Sequence, residues 1–129
     1  MPGTTKRIRP PHTEAAIPPE QWNNFLLEFN IRHHGWLAQL ETHDLVTEEI
    51  VFSQEMRLKS IELDLEDQEN PRINVTVHDG NKVIKHILFR PSRLVLRSST
   101  EKHKDTLQVE TVNTETTVRF QLPAAAASM

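Results

Sequence analysis

The sequence predicts an α+β fold in which one N-terminal amphipathic helix packs on a mostly antiparallel sheet. Two observations carry this. Trp22, Phe25, Leu26 and Phe29 fall at i, i+3, i+4 and i+7, the spacing of one helical face. After Gly35 the apolar period becomes two, as in Ile61-Leu63-Leu65, Ile73-Val75-Val77, Leu107-Val109 and Val118-Phe120-Leu122. That is the period of half-buried strands. Six or seven such strands in series, joined by short links, imply a meander that can curl into a partly open barrel with the helix over one end or face.

Residues 1–16 carry Lys6, Arg7 and Arg9 with no apolar period and read as a disordered basic tail. Ile17-Pro18-Pro19 opens the helix, because proline loses nothing in a first turn whose N–H groups are unpaired anyway. Arg32, His33 and His34 lie at its C-terminal end, where cations are favoured, and Gly35 suits the left-handed cap. Trp36 to His43 is the first strand, and Ile50-Val51-Phe52 can form a short edge strand. Arg57 to Leu65 follows, with Leu58 out of phase, which a bulge near Lys59-Ser60 explains. Arg72–His78 and Lys82–Phe89 flank Asp79-Gly80-Asn81, a hairpin signal. Arg90-Pro91-Ser92 interrupts the ladder, since Pro91 cannot donate, and Arg93–Arg97 resumes it. After a charged loop from Ser98 to Asp105, Thr106–Val112 and Thr116–Leu122 form the last hairpin around Asn113-Thr114. Pro123 ends it, and 124–129 reads as a second disordered tail, so 17–123 is one domain.

The 129 residues include no cysteine, which excludes disulfides, thiolate metal sites and Cys nucleophiles and suits a reducing compartment. Without an apolar run of roughly 18 residues no membrane span is expected, and without a signal-like N-terminus the expected location is cytoplasmic. The net charge of −3 is unevenly spread. Ten acidic residues lie between Glu41 and Glu69 against Arg57 and Lys59, while seven basic residues lie between Lys82 and Lys104 against Glu101. Such blocks on neighbouring strands can neutralise each other, or the basic one can meet an acidic partner.

Signatures of catalysis are sparse. Three glycines allow no phosphate-cradling loop, dinucleotide fingerprint or nucleophile elbow. The seven histidines show no spacing that demands a metal, and no cofactor is expected. Lys85, His86, Arg90, Arg93 and Arg97 form the candidate partner- or anion-binding set. Trp22, Trp36 and His34 form a candidate pocket. Nucleic acid is disfavoured, because only Phe89 interleaves the basic residues as a stacking platform and an acidic block lies beside them.

Ile17-Pro18, Trp22, Phe25-Leu26, Phe29, His34-Gly35-Trp36 and Glu41 together resemble the opening of small bacterial proteins grouped as domain of unknown function 5335. His86-Ile87-Leu88 and Pro91-Ser92-Arg93-Leu94 are similar to a later stretch of that family. The resemblance implies a small one-domain bacterial protein and transfers no catalytic residue. The functional expectation is a non-enzymatic binding or protein-interaction module, monomeric or homodimeric. It uses the basic strand region from Lys82 to Arg97 for a protein partner or anionic ligand, docked where Pro91 interrupts an edge. The rivals are a small-ligand or metal-binding enzyme with a His/Trp-lined pocket and a nucleic-acid-binding barrel.

Overall fold

The computed structural model describes residues 12–99 and 104–123. Pro19–Gln21 forms a 3-10 turn that leads into α1, Trp22–His33. Trp22, Leu26, Phe29 and His33 are its buried residues. The apolar stripe thus runs one position beyond Phe29 and ends on an imidazole. Gly35, at φ +84°, turns the chain out of the helix in the region that glycine tolerates best.

Nine strands among the described residues form one sheet. They are β1 (His12–Ala16), β2 (Leu37–Asp44), β3 (Ile50–Phe52), β4 (Met56–Asp64) and β5 (Arg72–Asp79), then β6 (Lys82–Phe89), β7 (Arg93–Ser99), β8 (Lys104–Glu110) and β9 (Thr114–Gln121). Their order is β1-β7-β8-β9-β2-β4-β5-β6, with β3 beside β2, and every pairing is antiparallel. The β4–β5 register shifts between Leu58 and Ser60, at the position of the out-of-phase Leu58. The sheet does not close, and β1 and β6 are its two ends.

The sheet divides at β2. β2 pairs with β9 along eight residues but with β4 only through Leu37↔Arg57 and Ala38↔Met56. Further along, β3 takes over as neighbour, and Ser53 secures the changeover. Its N–H donates to the Leu40 carbonyl and its hydroxyl accepts from the Leu40 N–H, at 2.8 and 2.9 Å. Beyond Leu58, β4 has lost β2, and α1 lies there instead. The Asn30 carboxamide accepts from the Ile61 N–H at 2.6 Å and donates to the Ile61 carbonyl at 2.7 Å, as a neighbouring strand would. The helix therefore occupies the seat of a missing strand, and α1, β4, β5 and β6 form one wall of the core. Ile61, Ile73, Val75 and Val77 from that wall pack in one cluster with Leu94, Leu107, Val109, Val118 and Phe120 from β7–β9.

Four expectations are corrected. The strand count is nine rather than six or seven, and the order is not a plain meander, because β2 separates the β4–β5–β6 hairpins from the β7–β8–β9 hairpins. His12–Ala16, expected to be the end of a structureless tail, is β1. It pairs with β7 from His12↔Ser99 to Ala16↔Val95, and the Ile17 N–H donates to the Leu94 carbonyl just after it. Backbone pairing holds this segment, which has no apolar alternation to announce it. The rest of that tail, residues 1–11, the second tail, 124–129, and the middle of the charged loop, 100–103, lie outside the described residues. Finally, Pro91 does not interrupt an edge strand: it is buried in the connection between β6 and β7.

Candidate functional site

The basic segment is split by this topology. Lys85 and His86 lie on β6 at one end of the sheet, and Arg93 and Arg97 lie on β7 near the other. Arg93 and Arg97 are already paired. Arg97 Nε lies 2.6 Å from Glu14 of β1, and Arg93 Nε lies 4.0 Å from Glu110 of β8. For these two arginines the acids come from β1 and β8 rather than from the block between Glu41 and Glu69. On the other wall, Asp64 is held below the ordinary aspartate range, first by the Glu66 N–H and then by Arg72, Asn74 and Lys85. Five candidate residues thus reduce to two in a different setting, His86 and Arg90.

Those two line an open groove of about 500 Å³ between β6 and the β2–β9 surface. Leu40 and Leu88, both buried, give it an apolar floor. Ile87, Phe89 and Val112 are exposed apolar side chains along its rim. The far wall comes from β2, β9 and the β8–β9 turn and is set with hydroxyls. Thr42 and Thr116 hydrogen-bond each other at 3.2 Å, as do Thr111 and Thr114 at 2.7 Å. Burial pushes the His86 imidazole below its ordinary pKa of 6.5, which favours its neutral form. Among the described residues Arg90 is the one Lys, Arg, Asp or Glu in the lining. Its backbone has φ +54°, a left-handed conformation uncommon for a residue with a side chain. Hydrogen bonds hold it on both sides: the Arg90 N–H donates to the Pro71 carbonyl at 2.8 Å and the Ser92 N–H to the Glu110 carbonyl at 2.7 Å.

The Trp22, Trp36 and His34 pocket does not form. Trp22 is buried in the core and donates its indole N–H to the Ile17 carbonyl at 2.7 Å, while His34 is exposed. Trp36 alone lines a smaller cavity of about 220 Å³, with Phe29, Arg32, His33, Leu96 and Asp105. The histidine of interest there is His33, which sequence reasoning left at a helix end. It stacks on Phe29 at 3.8 Å and meets the Trp36 ring edge-on at 4.5 Å. Its Nδ1 donates to the Phe29 carbonyl at 2.9 Å, and its Nε2 lies 2.6 Å from Asp105 Oδ2. Ser98 lines the same cavity. Even so, both ring nitrogens are committed, and none remains to activate a hydroxyl. The pair is built to hold α1 on β8. Among the described residues no group of three or more His, Asp or Glu is placed to hold a metal ion.

A third charged cluster lies on β2 and β9. Glu41 accepts from His43 Nε2 at 2.8 Å and from the Arg119 guanidinium. These two contacts, His43 first, hold its carboxyl below the ordinary value of 4.5. A lowered carboxyl pKa contributes stability above the unfolded-state value, and that stability is lost as the pH falls through the folded value. Glu41→Gln is therefore expected to cost about 1 kcal/mol or less at pH 7 and nothing at about pH 2, where both side chains are neutral. Urea unfolding at the two pH values checks this, and an equal difference at both would refute it.

Compared with protein-family models, curated proteins and solved structures, the chain matches none. Function is therefore argued from the groove itself.

Proposed function

We propose that this chain is a non-enzymatic binding module whose contact surface runs from the outer face of β6, which carries the exposed Lys85, into the groove lined by His86 and Arg90. The observation that supports this most is the pairing pattern. Arg93 and Arg97 have acidic partners, whereas Arg90 stands at the mouth of a mainly apolar groove whose lining includes no acid. Among the described residues no strand pairs with the outer edge of β6, which exposes Val83, Ile87 and Phe89. A free edge beside apolar side chains is a surface that another molecule can cover.

Charge reversal separates the two halves of the basic segment. The immobilised chain with Lys85→Glu and Arg90→Glu is expected to lose the interactions that the unaltered chain makes in a cell extract. The chain with Arg93→Glu and Arg97→Glu is expected to keep them. The opposite result moves the surface to β7 and sinks the reading. Thermal unfolding of each variant, run in parallel, shows whether a lost interaction is a lost fold.

A further inference from the structure

We infer that the groove between β6 and the β2–β9 surface takes a small amphipathic monocarboxylate, its carboxylate on Arg90 and its apolar body over Leu40 and Leu88. The inference deepens the binding-module reading above and rests on it. Three features select this ligand chemistry. The first is charge: among the described residues Arg90 is the one Lys, Arg, Asp or Glu in the lining, so a single negative group is matched there. The second is the body of the groove, where buried Leu40 and Leu88 and exposed Ile87, Phe89 and Val112 offer apolar surface for a hydrocarbon chain or ring. The third is size. About 500 Å³ falls among small-molecule sites, which run from roughly 300 to 1,000 Å³.

The polar groups are few and placed for orientation. The threonine hydroxyls are engaged in the pairs Thr42–Thr116 and Thr111–Thr114, one O–H of each pair donating to the other oxygen. Arg90 and the half-buried His86 are the lining groups best placed to meet a ligand's polar end. Arg90 is anchored for the task. A left-handed φ at a residue that precedes proline costs free energy, and the hydrogen bonds on either side hold it there. The backbone of Arg90 is thus fixed beside the groove before a ligand arrives.

Octanoate, octan-1-ol and octylammonium share a chain and differ in the head group, so they are the probes. Isothermal titration should show octanoate binding and octanol binding at least about tenfold more weakly, since a charge-assisted hydrogen bond is the stronger kind. Octylammonium should not bind. Arg90→Gly keeps a residue suited to positive φ and removes the cation. It should bring octanoate down to the level of octanol and leave octanol unchanged. Val112→Glu, at a position 72% exposed, should weaken octanoate but not octanol by adding a negative charge at the rim. The inference is overturned if octanoate fails to bind at about 5 mM, or if it binds Arg90→Gly as well as the unaltered chain. It is equally overturned if amide shifts on octanoate addition fall outside β6 and the β8–β9 turn. If octanoate fails while the extract interactions still depend on Lys85 and Arg90, the ligand class alone is wrong. If both fail, the binding-module reading falls with it.

Discussion

Replacing His33 with alanine is expected to destabilise the fold by about 2–5 kcal/mol, the range for truncating a large buried side chain to alanine. Three losses coincide there. The imidazole is 4% exposed, so its removal opens a cavity beneath α1. The stack on Phe29 and the edge contact with Trp36 disappear. Asp105 Oδ2 and the Phe29 carbonyl both lose their partner. The geometry also places one proton. The Phe29 carbonyl can only accept, so Nδ1 carries a hydrogen. His33 Nε2 and Asp105 Oδ2 lie 2.6 Å apart, within hydrogen-bond distance. His33→Phe keeps the ring and the stack but supplies no donor. It should recover part of the loss, and the unrecovered part measures the polar contacts. Asp105→Ala should cost less than His33→Ala, because the imidazole keeps its stack and its bond to Phe29. Thermal unfolding is the measurement, with about 3–5 °C expected per kcal/mol in a chain of this size. If His33→Phe proves as stable as the unaltered chain, the pair contributes nothing beyond packing.

That pair marks the boundary of what could be read in the sequence. α1 was legible because its signals are local: a proline start, a four-residue apolar stripe and a glycine stop. The Asp79-Gly80-Asn81 turn and the bulge after Leu58 were legible for the same reason, with Gly80 at φ +61°. The contact between His33 and Asp105 joins residues 72 apart, and nothing in either neighbourhood specifies the other. β1 was hidden because HTEAA has no apolar alternation and only Thr13 as a β-branched residue, and it pairs with the β7 backbone. Of the candidate set, His86 and Arg90 lie in the segment that the charge pattern singled out. The threonine wall facing them comes from β2, β9 and the β8–β9 turn, which only the strand order brings there. Several residues that carry the family resemblance have work to do in this fold. Ile17 ties the chain to Leu94 and accepts from Trp22, Phe29 stacks under His33, and Gly35 makes the turn.

Asn30→Ala is expected to cost about 2–4 kcal/mol, because it strips two hydrogen bonds from one buried backbone unit. Ile61 is fully buried, and both its N–H and its carbonyl are satisfied by the Asn30 carboxamide. Leaving a buried donor or acceptor without a partner costs about 1–3 kcal/mol each, and alanine leaves one of each. Asn30→Asp tests whether bonding or mere space-filling matters. A carboxylate still accepts from the Ile61 N–H, but its other oxygen then faces the Ile61 carbonyl, lone pair against lone pair. It should therefore destabilise at least as much as alanine at neutral pH, although its shape is almost that of asparagine. Hydrogen exchange places the damage. The Ile61 amide should lose protection first, and the seam between α1 and β4 should open before the β7–β8–β9 hairpins. If Asn30→Asp leaves both stability and the Ile61 amide unchanged, the carboxamide is not a surrogate strand, and β4 must hold its edge by packing alone. If the seam does open, β5 and β6 loosen with β4, since they reach the rest of the sheet only through it. The groove beside β6 would then lose one of its two walls while the other stayed folded.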